Sequence, residues 1–192
     1  SVAIVGNGPS EIGKGIGYII DSYDVVVRFN NYQIDNFSKD YGSKTNVWIR
    51  GSGGDDIMLR DDFSKYDLII LEADYEHFPI HFNDLDLIEK YIELLSTNCC
   101  NFDYNTHIEL RRVSGLDFPT TGLVAIWSIL NIVGKENIGL FGFSFLEEKP
   151  SSINNHYFHD RSFEESQKRT SVHDMEKESE FLNTIFNKKP AN

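Results

Sequence analysis

Short runs of almost unbroken apolar residues, spaced along the chain by helix-like segments, constrain this sequence more than any other feature. "VAIV" (2–5) is followed by "DVVVRF" (24–29), "NVWIRG" (46–51), "DLIILEA" (67–73) and "NIGLFGF" (137–143). A strand with one wet face alternates apolar and polar residues. Ala3–Val5, Val25–Val27 and Leu68–Leu71 do not alternate, so both their faces must be buried, as in a parallel sheet covered on both sides. Between the strands lie helical patterns. "IGKGIGYIID" (12–21) reads as a glycine-loosened helix, and "TTGLVAIWSILNIV" (120–133) as a buried one. In "DLDLIEKYIELLS" (84–96), Leu87, Ile88, Tyr91, Leu94 and Leu95 are expected on one face. "SVHDMEKESEFLNTIFNK" (171–188) reads as the last helix. The alternation predicts an α/β fold: a single Rossmann-like, open, mostly parallel sheet with helices on both faces. The 192 residues, 40% of them hydrophobic, suit one domain over 1–192. The polar, aperiodic stretch 146–170 is long for a connection in a compact domain and reads as a mobile lid.

A net charge of -12 disfavours a nucleic-acid partner, which a basic surface would serve better. Cys99 and Cys100 are adjacent and no other thiol exists to bridge them. The expectation is a chain without structural disulfides in a reducing, cytoplasmic setting, where it can still work at the inner face of a membrane. No apolar run approaches the roughly 20 residues of a membrane helix, and no secretory signal stands at the start. The sequence opens at Ser1 directly before a strand, which leaves room for an upstream domain or a membrane association.

The glycine-rich "GNGPSEIGKG" (6–15) follows the first strand and suggests a phosphate-handling loop. Gly8, Gly13 and Lys14 fit the nucleoside-triphosphate pattern, but Gly15 stands where a hydroxyl must hold magnesium. Gly6 and Gly8 fit a dinucleotide fingerprint, but Glu11 stands where its third glycine permits close helix–strand packing. Neither loop type is supported.

Four segments carry a different pattern. They are "VAIVGNGPS…GIGYIIDSYDVVVRFNNY…DYGSKTNVW" (2–48), "GLDFPTTGLVAIWSILNIVGKENIGLFGFSF" (115–145), "HYFHD" (156–160) and "HDMEKE" (173–178). In order and character they resemble the sialyltransferases of glycosyltransferase family 29. That family has a long motif with V-x-G-N-x-G, I-D-S-x-D-x-V-x-R-x-N and G-x-K-T. It has a short motif with P-[ST]-T-G before a helix, a third motif H-Y-[YF]-[DE], and a very short motif H-x-x-x-x-E. The resemblance implies a GT-A-like variant of the Rossmann architecture. It also implies a cysteine pair at the positions of Val2 and Val133, where two valines can make an apolar contact instead. That departure suits a cytosolic bacterial relative. "HYFHD" carries one extra residue before Asp160, and the chain is shorter than most members, which puts acceptor-binding loops in question.

The resemblance implies donor-nucleotide contacts at Asn7, Gly8, Asn30, Thr120, Thr121, Gly122 and Tyr157. Physically, a glycine turn after a buried strand lets a ligand approach the backbone, or is a plain strand-to-helix turn. Asn30 lies just past a strand end, where open α/β sheets bind ligands, though a turn-capping asparagine would look the same. Thr120 or Thr121 caps the 120–133 helix, whose start is a ready phosphate or ribose site. Arg28 has Asp21 and Asp24 nearby in sequence and is expected to be a structural charge partner. Ser171 and Asp174 fit a capping box that puts His173 in the first helical turn, where the helix terminus favours a neutral imidazole suited to a general base. Glu178 shares a helical stripe with Met175, Leu182 and Ile185, so it needs a partner and reads as orienting or structural. It is five positions from His173, about 140° round the helix, which argues against direct pairing. His156, beside Tyr157, is expected to donate to the departing phosphate.

"DLD" (84–86) mimics a metal site but opens a helix, where capping explains it. His77 and His81 flank Pro79, which breaks a helical metal pair. No metal and no cofactor is expected. The function that emerges is inverting, metal-independent transfer of sialic acid from a CMP-sugar donor to a glycan acceptor, in bacterial surface polysaccharide synthesis. Transfer of Kdo or another ulosonic acid is the alternative within the fold, and a nucleotide-binding module without catalysis is the alternative outside enzymes.

Overall fold

The computed structural model describes residues 1–51, 60, 62–72, 89, 92–143, 156–158 and 173–186. Six strands form one sheet: β1 (Val2–Val5), β2 (Val25–Phe29), β3 (Val47–Arg50), β4 (Leu68–Leu71), β5 (Cys99–Asn101) and β6 (Ile138–Phe141). Their order is β5-β4-β3-β2-β1-β6, and every pairing is parallel. The helices are α1 (Gly17–Asp21), α2 (Ser38–Tyr41), α3 (Tyr104–Ser114), α4 (Thr121–Val133) and α5 (Met175–Phe186). Residues 92–95 are also helical.

Strand alternation sorts the core into two layers. Ala3, Val5 and Val26 pack with Ile20 of α1, Tyr41 of α2 and Tyr157. Val2, Ile4, Val27, Phe29 and Ile49 pack on the opposite face with Leu110 of α3, Leu123, Val124 and Ile126 of α4, and Leu182 of α5. A third cluster joins Trp48, Ile69 and Leu71 to Phe63, Tyr66 and Leu94. The runs of β1 and β2 are therefore buried on both faces, whereas β4 alternates buried and half-buried and β6 is half-buried throughout; each fully buried large side chain contributes about 1.5–3 kcal/mol of transfer free energy. Val2 and Val133 belong to the same apolar cluster, and Cys99 and Cys100 are free thiols.

The chain steps outward from β1 to β5, then returns to the other side of β1 to lay down β6. The strand order thus reverses at β1/β6. Open α/β sheets bind ligands in the crevice outside the carboxyl ends at such a point.

Several elements differ from expectation. The helix expected over 12–21 shrinks to α1, preceded by a 3-10 turn at Pro9–Glu11. Gly13 and Gly15 take φ of 79° and 65°, and both donate their N–H groups to Asp40, at 2.8 Å each. Left-handed residues cannot continue a right-handed helix. Leu94 is fully buried but Leu95 is 64% exposed, so these neighbours, about 100° apart on a helix, do not share the inner face. β5 and α3 were not anticipated. β5 is three residues long with exposed Cys100 and Asn101, and α3 buries only Leu110, so neither writes a periodic apolar signal. Leu87, Ile88, Tyr91, the "DLD" aspartates, His77, His81, Asp160, Ser171 and the 146–170 stretch apart from 156–158 lie outside the described residues. No helix among the described residues is long and apolar enough to cross a membrane.

Candidate active site

The first turn of the chain is built on the close approach of two parallel strand ends, those of β1 and β6. Gly6 N–H donates to Phe141 O at 2.8 Å and Gly8 N–H to Gly142 O at 2.7 Å. A Cβ on Gly6 would sit 2.6 Å from Gly142 O, and one on Gly142, which has φ 69°, would sit 2.2 Å from Gly6 O. Only glycine permits this approach. Glu11 explains why the dinucleotide pattern fails. Its buried carboxylate accepts from Gly142 N–H at 3.1 Å and from the Ser10 hydroxyl at 3.0 Å, tying the loop to the end of β6. The triphosphate pattern fails as well. The N–H groups of Gly13 and Gly15 are held by Asp40, and Lys14 pairs with Glu11 at 3.2 Å.

Gly8 uses both backbone groups within the protein, since its carbonyl also accepts from the Tyr41 hydroxyl at 2.7 Å. It offers a ligand close approach rather than a hydrogen bond. Asn7 differs. Its Nδ2 donates to Phe29 O at 3.3 Å, its backbone carbonyl accepts from Tyr157 N–H at 2.9 Å, and its buried Oδ1 has no hydrogen-bond partner among the described residues. A buried amide oxygen left unsatisfied costs about 1–3 kcal/mol, which a ligand donor would recover. Tyr157 is buried and stacks on Tyr41 with centroids 4.0 Å apart. Its hydroxyl donates to Gln33 O and accepts from Gln33 N–H, and burial pushes the phenol up from its ordinary value. In this arrangement Tyr157 clamps the segment after β2 against the glycine turn. His156 precedes it, partly buried, with its ring 5.0 Å from that of Phe158.

The charge partners expected for Arg28 are corrected by the structure. Arg28 is fully buried and donates to Lys44 O, the Thr45 hydroxyl and Tyr41 O, at 3.0, 3.1 and 2.6 Å. Burial lowers its pKa from the ordinary arginine value. Asp21 instead accepts from the N–H groups of Ser43 and Lys44, and Asp24 pairs with the amino terminus. Arg28 thus braces the α2–β3 connection beneath Asn30.

A second group gathers past the ends of β2, β3 and β4. Asn30 takes φ 49°, a left-handed turn that asparagine tolerates. Its side-chain oxygen accepts from Gly51 N–H at 2.7 Å, and its carbonyl from Trp48 Nε1 at 2.8 Å. A Cβ on Gly51 would lie 2.6 Å from Thr121 Oγ1 and 3.5 Å from both Asn30 Oδ1 and Glu72 Oε2. The start of α4 therefore rests on the end of β3, with Asn30, Thr121 and the buried Glu72 around one glycine. Glu72 was missed in the sequence. The available signal was a lone charge directly after an apolar strand at the ligand-binding edge.

The α4 start is also where the two late motifs meet. Thr120 caps α4, its hydroxyl accepting from Leu123 N–H at 3.2 Å. Glu178, fully buried on α5, accepts from Thr120 N–H at 2.6 Å and from the Thr120 hydroxyl at 2.7 Å. This is the partner that a carboxylate on an apolar helix face requires. The Thr120 donors are thereby taken, so what the helix start leaves for a ligand is the N–H groups at Thr121 and Gly122. Gly122 packs against Phe143, whose ring also lies against Gly6.

His173 is not inside the helix. Asp174 is the cap, its carboxylate accepting from Lys177 N–H at 3.0 Å, and α5 begins at Met175. His173 therefore sits one residue ahead, and the helix-terminus basis for a neutral ring does not apply as stated. Geometry supplies another constraint: His173 Nδ1 lies 2.9 Å from Phe118 O. A carbonyl only accepts, so Nδ1 carries the proton and the neutral ring has its basic lone pair on Nε2. His173 and Glu178 are both fastened to the 118–120 segment and not to each other. Among the described residues no group of three or more His, Cys, Asp or Glu could hold a metal ion.

Sequence and fold comparisons bear on these motifs. The model of glycosyltransferase family 29 (sialyltransferase) matches residues 1–58 and 70–190. The chain belongs to glycosyltransferase family 29. It is 26% identical over 207 residues to a CMP-N-acetylneuraminate-beta-1,4-galactoside alpha-2,3-sialyltransferase of Homo sapiens, covering 95% of this chain and 54% of that protein. It is 23% identical over 188 residues to a CMP-N-acetylneuraminate-beta-galactosamide-alpha-2,3-sialyltransferase 4 of Mus musculus, covering 81% and 53%. A shorter match, 40% over 47 residues, joins 24% of this family 29 chain to 12% of the beta-1,6-galactosyltransferase GALT29A of Arabidopsis thaliana. The chain spans about half the length of the sialyltransferases it matches. The fold superimposes on the crystal structure of a mammalian sialyltransferase with a TM-score of 0.65 at 21% identity, covering 96% of this chain and 66% of that one.

Proposed function

We propose that this family 29 chain transfers sialic acid from CMP-sialic acid to a glycan hydroxyl, with inversion and without a metal. The observation that carries the proposal is the junction of the two late motifs: Glu178 fixes Thr120 while His173 is fixed through Phe118 O. That junction holds a candidate base beside the start of α4, where a departing phosphate finds N–H donors and the positive end of a helix. In the reaction, Nε2 of His173 takes the acceptor hydroxyl proton and the acceptor oxygen bonds to the anomeric carbon. The bond from that carbon to the phosphate oxygen breaks, and its electron pair leaves with CMP. His156 stabilises the phosphate as charge develops. Asn7, with its unsatisfied oxygen, and Asn30 contact the nucleotide. Metal independence rests on the leaving group, because a phosphate monoester carries less charge to neutralise than a pyrophosphate.

The finer context is part of the same proposal. Valines in place of the family's cysteine pair support a cytoplasmic enzyme of bacterial surface polysaccharide synthesis, acting at the inner face of the membrane. Kdo or another CMP-ulosonic acid would fit the same machinery. The match to a plant galactosyltransferase favours a second reading, a galactosyl donor on another nucleotide.

A thermal-shift panel of CMP, UDP, GDP, ATP and NAD tests the donor class. A ligand at 100 times its Kd stabilises the folded state by about 2.7 kcal/mol, which for a domain of this size is roughly 5–11 °C. CMP alone is expected to give that shift. Equal shifts from all nucleotides sink the CMP assignment, and a shift from UDP alone selects the galactosyl reading. In the same preparation His173→Ala should lose about 10²–10⁴-fold in transfer while CMP still binds. Near wild-type transfer by that variant would place the base elsewhere. CMP binding with neither transfer nor hydrolysis of any CMP-sugar would leave a binding module.

A further inference from the structure

Arg60 is a cation beside the candidate donor site that the proposed chemistry does not use. Its guanidinium lies over the ring of Tyr32, 3.9 Å from the centroid. Nη2 donates to the carbonyl of Asn30 at 3.2 Å and to the carbonyl of Tyr32. Both carbonyls belong to the turn that leaves β2, and Asn30 is a candidate nucleotide contact. Arg60 is therefore fastened to the carboxyl edge of the sheet, where open α/β folds bind ligands. This fastening takes two of the five N–H groups of a guanidinium. Nε is buried and has no hydrogen-bond partner among the described residues, and Nη1 donates to none of them.

No carboxylate among the described residues answers this charge. Asp62, two positions on, turns to Ser64 instead, accepting from its N–H at 2.9 Å and its hydroxyl at 2.6 Å. A second guanidinium faces the same ring. Arg28, fully buried, lies 5.6 Å from the Tyr32 centroid, and its Nη1 is likewise buried without a hydrogen-bond partner among the described residues. The groups that accept from Arg28 are two carbonyls and one hydroxyl, all neutral. Two cations thus flank one tyrosine with no acid bound to either. Taking a cation out of water without a counter-ion is costly, and an anionic ligand supplies the missing charge. Guanidinium N–H groups suit phosphate and carboxylate oxygens, and stacking on an aromatic face is a favoured arginine geometry. The stack on Tyr32 and the two carbonyl contacts order Arg60 in advance, so a ligand is spared that entropy cost.

Building on the CMP-donor reading, we propose that Arg60 receives an anionic oxygen of the donor, on its phosphate or on the carboxylate of its sugar acid. Arg60 thereby makes the site prefer a charged donor to a neutral analogue, and Tyr32 holds the guanidinium in place.

Calorimetric titration of the whole chain tests this in wild type, Arg60→Ala and Arg60→Lys. The probes are cytidine, CMP, uridine, UMP, CMP-sialic acid and the methyl ester of CMP-sialic acid, which lacks the carboxylate charge. A hydrogen bond to a charged group corresponds to about ten- to hundredfold in affinity. Arg60→Ala is expected to shrink one of two ratios by that factor. The ratio is CMP over cytidine if the phosphate is held, and CMP-sialic acid over its methyl ester if the carboxylate is held. Arg60→Lys keeps the charge and should retain part of the lost ratio. A merely structural role would lower the melting temperature and weaken all the probes alike, and unchanged ratios overturn the proposal. So does a wild type that discriminates neither pair. If wild type binds UMP and not CMP, yet Arg60→Ala erases its preference for UMP over uridine, the CMP reading fails and the role of Arg60 stands. If Arg60→Ala binds CMP with both ratios intact, the CMP reading stands and the role of Arg60 falls.

Discussion

Removing the Glu178 carboxylate should destabilise the chain and misplace the candidate base together. In Glu178→Ala, the N–H and hydroxyl of half-buried Thr120 lose the fully buried carboxylate that accepts from both. An unmet donor shielded from water costs about 1–3 kcal/mol. The two together give about 2–6 kcal/mol, and a cavity left by the missing methylenes adds to it. Against this stands the desolvation that the buried carboxylate no longer suffers, a term of several kcal/mol that offsets part of the loss. A net loss of about 3 kcal/mol is expected, or roughly 6–12 °C in melting temperature for a domain of this size. Glu178→Gln keeps the shape and one acceptor and should cost about half as much. Urea unfolding of wild type, Glu178→Ala, Thr120→Ala and the double variant closes a cycle. The Glu178–Thr120 coupling should appear as about 1.5–3 kcal/mol, the worth of one charge-assisted bond. A coupling below about 0.5 kcal/mol, or a Glu178→Ala protein as stable as wild type, would refute the clamp. Transfer should fall in Glu178→Ala even at temperatures where the protein is folded, because His173 and Thr120 share one short segment.

Gly142→Ala should be severely destabilising and fail to accumulate as folded protein, because its Cβ would lie 2.2 Å from Gly6 O at a φ of 69°; a soluble, cooperatively melting variant would contradict the close approach of the strand ends. Gly13 and Gly15 N–H groups hold the Asp40 carboxyl below its ordinary value. The stabilisation from this exposed carboxylate is present above the unfolded value near pH 3.9 and is lost as pH falls through the lower folded value. The melting-temperature gap between wild type and Asp40→Asn should therefore shrink below about pH 4, and a gap that widens in acid reverses the sign. Transfer should survive excess EDTA; complete loss restored by magnesium or manganese would return "DLD" (84–86) to contention.

Much of this fold is legible in the chain because burial on both faces leaves an unambiguous mark. Ala3–Val5, Val25–Val27 and Leu68–Leu71 needed no partner to be recognised as inner strands, and their spacing with helices implied parallel order. β5 and α3 were invisible because an edge strand and a helix with one buried leucine need few apolar residues. Motif order also picked out the candidate site residues, including Asn7, Asn30, Thr120, Thr121, His173 and Glu178. Their relations were decided only in three dimensions. The partner of Glu178 is Thr120, 58 positions away, and the carbonyl that fixes the His173 tautomer is Phe118, 55 away. Glu72 meets Asn30 and Thr121 only because three strand and helix ends converge on Gly51. Local sequence records which faces must be hidden from water, a property of each segment by itself. Hydrogen-bond partners are chosen by which segment ends the sheet brings together, and no single segment carries that information.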